Sequence, residues 1–197
     1  MSDREKLEAL LRTSADGTLT AAQVTQAGLH RGLLRELVDS GEMHRFGRGL
    51  YVQSQAGEDD FYLLQRKYGR GIYSHETALF LLGYGDLPPG KYTMTFPKGY
   101  NAPSLKQEGL TVKRVVPENY DFGLIQISSP QGNPLRVYEL ERTLCDLLRG
   151  SGGDVRAVEA AMRRYAASEN RDMHKLMQYA QRLRVKTKVL RCIELLL

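Results

Sequence analysis

Seven polar side chains between residues 20 and 48 have the types and spacing to hold a nucleic-acid duplex: Thr20, Gln23, His30, Arg31, Arg35, Arg45 and Arg48. An arginine fork pairs with guanine O6 and N7 in the major groove, so Arg31 and Arg35 are the candidates for reading bases. Arg35 follows Arg31 by about one helical turn, which keeps both on one face of a helix that also begins near His30. Thr20 and Gln23 offer a hydroxyl and an amide suited to phosphate oxygens, and Arg45 and Arg48 offer charge to a neighbouring phosphate or a minor groove. Arg48 sits in Phe46-Gly47-Arg48-Gly49. Glycines in such a turn allow close approach to a phosphate backbone, because no Cβ intervenes.

The elements that must position these groups are legible around them. Asp3 to Thr13 reads as a helix with Leu7, Leu10 and Leu11 on one side. Asp16-Gly17 marks a turn, and Thr18-Leu19 could pair with a later strand. A second helix runs from Thr20, as N-cap, to Ala27 and is closed by Gly28. A third runs from His30 to Ser40, with Leu33, Leu34, Leu37 and Val38 as its buried face, and stops at Gly41. Two short strands, Glu42 to Arg45 and Leu50 to Val52, flank the glycine turn. Helix, helix, hairpin in this order is a winged helix-turn-helix, expected over residues 1–53. In that motif the second helix enters the major groove by its N-terminal end.

Charge sets a limit on this reading. Residues 1–52 hold seven Lys and Arg against seven Asp and Glu. One copy of so neutral a domain would bind DNA weakly, because phosphate neutralisation supplies most non-specific affinity. Repeated half-sites are therefore expected in a double-stranded target. The whole net charge of +5 falls in residues 151–197, which carry ten basic against five acidic residues. Arg163, Arg164, Arg182, Arg184, Lys186 and Lys188 form a second basic face there, either a further grip on phosphates, a dock for an acidic protein, or a solvated helix surface.

The chain has 197 residues, 42% of them hydrophobic and 26% charged, which suits one or two folded domains. No apolar run reaches the roughly 20 residues of a membrane span. The start MSDREKLEALL is not that of a secretory signal, and Cys145 and Cys192 lack metal spacing. A reduced, cytoplasmic protein without cofactor or metal is expected. Residues 53–58 are a polar linker. Beyond it, residues 59–197 read as a second domain with strands over about 91–138 and helices over 139–197. The strands are Tyr92 to Phe96, Leu110 to Val116, Phe122 to Ser128 and Leu135 to Tyr138. The expected fold class is α+β: a winged helix-turn-helix, then a mixed domain with a small, mostly antiparallel sheet and a C-terminal helical part.

Chemistry in the second domain has few carriers. His75-Glu76 is better read as a helix start than as an acid–base pair. Lys98-Gly99-Tyr100-Asn101 reads as a surface loop. Glu139, Glu141 and Asp146 could hold a metal in a nuclease-like site, although Asp146 is equally placed to pair with Arg142 or Arg149. A nucleic-acid-modifying enzyme and a protein-interaction module that does not bind DNA are the alternatives to a DNA-binding regulator.

Four stretches together resemble one family. They are Gly47-Arg48-Gly49-Leu50-Tyr51, Tyr73-Ser74-His75-Glu76-Thr77-Ala78-Leu79, Phe96-Pro97-Lys98-Gly99-Tyr100-Asn101, and Val137-Tyr138-Glu139-Leu140-Glu141-Arg142-Thr143-Leu144-Cys145-Asp146. Their order and spacing resemble the AbiEi antitoxins of type IV abortive-infection toxin–antitoxin systems, which act in phage defence. The resemblance implies a winged helix that binds repeats in the operon's promoter and represses it, and a C-terminal domain that counters a nucleotidyltransferase-like toxin without a stable complex. It places the DNA contacts on Thr20, Gln23, His30, Arg31, Arg35, Arg45 and Arg48. It assigns no individual residue to antitoxicity and no catalytic residue.

Overall fold

Ser2 opens the first helix by exchange. Its hydroxyl accepts from the Glu5 amide while the Glu5 carboxylate accepts from the Ser2 amide, a capping box that satisfies two otherwise orphaned donors. The computed structural model describes residues 2–14, 16–55, 59–101, 105, 109–150 and 155–194. Its architecture is α+β, beginning with a winged helix-turn-helix. Part of the 53–58 linker, the Gly-rich residues 151–153 and the last leucines lie outside the described residues.

The first elements are α1 (Asp3–Thr13), β1 (Thr18–Thr20), α2 (Ala21–Gln26), α3 (Gly32–Asp39), β2 (Met43–Gly47) and β3 (Leu50–Gln53). The three strands form an antiparallel sheet in the order β1-β3-β2, with Thr18 opposite Val52 and Met43 opposite Gln53. Leu7, Leu19, Val24, Leu29, Leu34, Leu37 and Met43 pack into one core beneath the helices. Each such apolar side chain contributes about 1.5–3 kcal/mol on burial. Gly28 and Gly41 end α2 and α3 at φ of 73° and 76°, the left-handed region that a side chain disfavours. Helix α3 begins two residues later than the sequence suggests. The His30 ring Nδ1 accepts the Gly32 amide at 3.1 Å, so His30 and Arg31 stand in the turn before the helix.

Two compact units divide the chain: Met1–Gly69 with Ser128–Leu135, and Arg70–Ile127 with Arg136–Leu197. The first unit therefore includes α4 (Asp60–Lys67), which follows the polar linker. Hydrogen bonds hold α4 there. Tyr62 Oη donates to the Asp16 carboxylate, and Arg66 Nε lies 3.8 Å from the same group. Ser14 Oγ and Thr18 also donate to Asp16. Burial alone would raise the Asp16 pKa, but the hydrogen bonds from Ser14, Tyr62 and Thr18 outweigh it and bring it down to about 2. Burial and the bond to Asp16 push the Tyr62 phenol up to about 12. At the N-terminus of α4, the Asp59 side chain accepts from the Tyr62 amide at 3.0 Å. Its second oxygen accepts from Ser129 Oγ at 2.5 Å and Asn133 Nδ2 at 2.8 Å.

The later elements are β4 (Ile72–Tyr73), α5 (His75–Leu81), β5 (Thr93–Pro97), β6 (Thr111–Val115), a 3-10 turn (Pro117–Asn119), β7 (Leu124–Ser128), β8 (Pro134–Tyr138), α6 (Leu140–Arg149), α7 (Val155–Ala167), α8 (Met173–Arg182) and α9 (Lys186–Glu194). The five strands take the order β6-β5-β4-β8-β7. This sheet is mixed rather than mostly antiparallel: β4 runs antiparallel to β5, whereas β4–β8 and β5–β6 are parallel. A parallel neighbour needs a connection of about a dozen residues, and the stretch from Lys98 to Leu110 supplies one. Leu144, Cys145, Met162, Tyr165, Leu176 and Val189 share the helical core, so Met162 is packing. Both cysteines are free. Burial pushes the Cys145 thiol up to about 12, which leaves it inert.

At the centre of the second unit lies a charged group. Arg142 is 0% exposed. Its Nε donates to Asp146 at 2.8 Å, and its Nη1 donates to the carbonyls of Asn119 at 2.8 Å and Phe122 at 2.6 Å. The guanidinium carbon lies 4.2 Å from the centre of the Tyr138 ring, and Tyr138 Oη in turn donates to the Tyr120 carbonyl at 2.7 Å. Among the described residues Nη2 has no hydrogen-bond partner.

Two outcomes follow from these networks. Because Asp16 has a depressed pKa in the folded state, its contribution to stability is present above about pH 4 and disappears as pH falls towards 2. Asp16→Asn should therefore lower the urea midpoint at pH 7 and flatten its decline between about pH 4 and pH 2; an unchanged acid limb would remove the latch from the stability account. Arg142→Met should cost about 3–5 kcal/mol, since it strands Asp146 in the core. Arg142→Met with Asp146→Leu should recover most of that stability, measured by urea unfolding.

Candidate nucleic-acid interface

The candidate DNA contacts all belong to the first unit, and the local structure explains where each one stands. Thr20 caps α2: its hydroxyl accepts from the Gln23 amide at 3.2 Å, and Gln23 Oε1 accepts from the Thr20 amide at 2.8 Å. This reciprocal box already engages the Thr20 hydroxyl and the Gln23 carbonyl. What remains outward at this position is the Gln23 amide nitrogen.

The turn from α2 to α3 carries His30 and Arg31, both exposed. Arg31 Nε donates to Thr25 Oγ1 at 2.8 Å, which braces the guanidinium along the last turn of α2. Thr25 is thus a positioning residue that spacing alone does not single out; its signal is a hydroxyl in the last turn of α2. Arg35 lies on the exposed face of α3 and pairs with Asp39 at 3.7 Å. Both side chains of that pair are mostly solvated, at 87% and 70% exposure, so it contributes little and leaves Arg35 able to exchange Asp39 for a phosphate or a base.

The wing is a bulged hairpin. The register shifts between Arg45 and Gly47, and Gly49 takes a φ of 72° at the tip. Arg45 Nε donates to the Gly47 carbonyl at 3.1 Å, which folds this arginine back along its own strand. Arg48 projects from the tip and is exposed. Lys67 of α4 supports the hairpin from behind. Its Nζ lies 3.4 Å from the Phe46 carbonyl and 5.6 Å from the Phe46 ring centre. A Cβ at Gly47 would stand 2.7 Å from Lys67 Cε, so a side chain there would displace this lysine.

The structure brings Arg31, Arg35, Arg45 and Arg48 together on one unit as exposed cations of the turn, helix and wing. The second basic face is different. Arg182 donates to the Glu118 carbonyl at 2.6 Å and Asn119 Oδ1 at 3.2 Å, with its guanidinium carbon 3.9 Å from the Phe122 ring centre. Lys188 Nζ donates to the Leu148 carbonyl at 2.7 Å, and Arg164 lies 5.3 Å from the Tyr84 ring centre. Arg184 closes α8 at a φ of 61°. All six of these cations are exposed, and Arg182, Lys188 and Arg164 have the protein partners just given.

The acidic residues considered for a metal also have protein partners. Glu139 accepts from Lys175 at 2.8 Å and from Tyr179, and Glu141 accepts from Tyr165 at 3.1 Å. Asp146 is held by Arg142. Among the described residues no group of three or more His, Cys, Asp or Glu side chains is arranged to hold a metal ion. No helix among them is long and apolar enough to cross a membrane.

Comparison with known proteins agrees with the winged geometry. Residues 5–52 match the family model described as "Transcriptional regulator, AbiEi antitoxin", a span that covers α1 through the wing. No curated protein sequence matches at a significant level. Among solved structures the chain is similar to the crystal structure of the RV2827C protein from Mycobacterium tuberculosis, with a TM-score of 0.60 and 18% identity over 98% of this chain and 80% of that one. At that identity the likeness is one of fold. Over residues 5–52, about a quarter of the chain, the protein is thus similar to the AbiEi antitoxin transcriptional regulators.

Proposed function

We propose that the first unit binds double-stranded promoter DNA and represses the operon that encodes this chain. The observation that carries the reading is the set of exposed arginines distributed over the α2–α3 turn, the face of α3 and the wing tip. Arg31 and Arg35 enter the major groove and read bases, Arg45 and Arg48 hold the flanking backbone, and His30, Thr20 and Gln23 complete the phosphate contacts. The neutral charge of residues 1–52 favours two copies on repeated half-sites, since a single copy neutralises few phosphates. Residues 59–197 carry the antitoxin activity, directed against a nucleotidyltransferase-like toxin without a stable complex; the support for that part is the resemblance of residues 73–79, 96–101 and 137–146 to the family. The exposed cations Arg163, Arg164, Arg182, Arg184, Lys186 and Lys188 supply any second grip on the same DNA. The site of action is the cytoplasm.

A fluorescence anisotropy titration of the DNA upstream of the gene tests the reading. Arg31→Ala with Arg35→Ala should weaken specific binding by about 1–3 kcal/mol for each base-reading side chain removed. Arg48→Ala should reduce the slope of log affinity against log salt by about one. Equal affinity for wild type and the double variant would sink the assignment of α3 as the reading helix.

A further inference from the structure

The second unit contains a pocket that the DNA-binding reading does not use. It has a volume of about 520 Å³ and lies between the start of α5, the loop before β5, and strands β5 and β6. That volume is within the usual range for small-molecule sites, roughly 300–1,000 Å³. Hydroxyl groups next to the pocket lock the elements that line it. Parallel pairing sets Thr93 opposite Thr111 and Thr95 opposite Lys113. Thr95 Oγ1 donates to Ser74 Oγ at 2.8 Å, and the Thr93 amide donates to Thr77 Oγ1 at 2.8 Å. The start of α5 is thereby fixed to the β5–β6 edge.

His75 occupies this corner under strain. Its φ is 53°, a left-handed value that is unfavourable for a residue with a Cβ and persists where the surroundings enforce it. The ring is buried, with Nδ1 3.1 Å from Ser74 Oγ. Burial, and after it the charges of Lys113 and Arg142, lower its pKa to about 3, so the imidazole is neutral and acts as a hydrogen-bonding group.

Charge in the pocket is unbalanced. Lys91 and Lys113 both line it, and neither has an ion-pair partner among the described residues. Glu76 is the one carboxylate among the lining residues, and it faces the Thr93 hydroxyl at 3.5 Å. Beside the lysines stands Leu87-Pro88-Pro89, whose leucine is 80% exposed. Two cations in a concave site attract an anion, and an exposed leucine on a proline-stiffened loop offers an apolar wall to whatever the anion is attached to.

We infer that this pocket binds a small organic phosphate, with the phosphate held by Lys91 and Lys113 and the ring or acyl body against Leu87, Pro88 and Pro89. Lys113 and the hydroxyls of Thr93 and Thr111, which line the pocket, supply the directed hydrogen bonds. The neutral His75 ring adds a donor or acceptor without adding charge.

Calorimetric titration of the full chain with adenosine monophosphate, and separately with inorganic pyrophosphate, tests this. Wild type should show saturable binding of adenosine monophosphate at one site per chain. Lys113→Ala and Lys91→Ala should each weaken it about tenfold or more, the scale of one charge-assisted hydrogen bond. Lys113→Met serves as a second variant that keeps the aliphatic stem, and an unchanged thermal midpoint shows that each protein is folded. Arg31→Ala with Arg35→Ala should bind the nucleotide normally, and the lysine variants should bind promoter DNA normally, which separates this site from the DNA-binding one. Loss of nucleotide binding in the arginine variant with retention in the lysine variants would place the anion on the winged unit and overturn the inference. The absence of saturable binding with either probe would also overturn it. Pyrophosphate binding as tight as the nucleotide's would remove the Leu87–Pro89 wall from the site.

Discussion

The second unit depends on one buried cation. A guanidinium removed from water is tolerated only where its donors find acceptors and its charge finds a partner. Arg142 meets these conditions with Nε and Nη1, though not with Nη2 among the described residues, by reaching three parts of the chain: Asp146 one turn along α6, the carbonyls of Asn119 and Phe122 in the segment before β7, and the Tyr138 ring at the end of β8. Those contacts fix how α6 leaves the sheet. Gly123 follows from the same constraint, because its Cβ would stand 2.9 Å from that of Arg142 at a φ of 73°. Phe122 is then pinned between two guanidinium groups, with Arg182 3.9 Å from its ring centre and Arg142 at 5.8 Å. Lysine could not replace either arginine there, since it lacks the planar fork that bonds carbonyls while lying over a ring.

The winged unit relies on a carboxylate instead. Asp16 lies in the turn between α1 and β1 and collects donors from its own turn and from α4. The Tyr62 and Arg66 contacts draw α4 against that turn, and Lys67, one residue further, then reaches Phe46 in the wing. The wing's outward arginines are thus supported by a helix that carries none of the candidate DNA contacts. The candidate contact arginines of α3 and the wing make no ion pair other than the solvated Arg35–Asp39 contact among the described residues.

Much of this is legible in the sequence, and the departures share a cause. The bounds of α1, the Thr20 cap and the glycine stops of α2 and α3 follow from local rules, and they are where those rules put them. The start of α3 departs from its periodicity because one side chain, the His30 ring, captures the Gly32 amide. Strand β4 has two residues and no readable period, and the parallel pairing of β5 with β6 is a long-range choice. The Arg142–Asp146 pair follows from i,i+4 spacing, but its burial does not, because a surface pair and a core pair have the same spacing. Arg182 reads as part of a binding face for the same reason. A run of cations does not show which of them will find carbonyls and rings to hold.

Asp59 carries a consequence for how the protein is made. Its carboxylate caps α4 with one oxygen and receives Ser129 and Asn133 on the other, all within the first unit. On the ribosome the helices and wing of that unit emerge early, but residues 128–135 emerge only after some sixty more have been added. Until then Asp59, which is 3% exposed in the finished fold, lacks its two lateral donors. The N-terminal unit therefore cannot mature by itself as an early, self-contained step of synthesis. Its completion waits for residues 128–135.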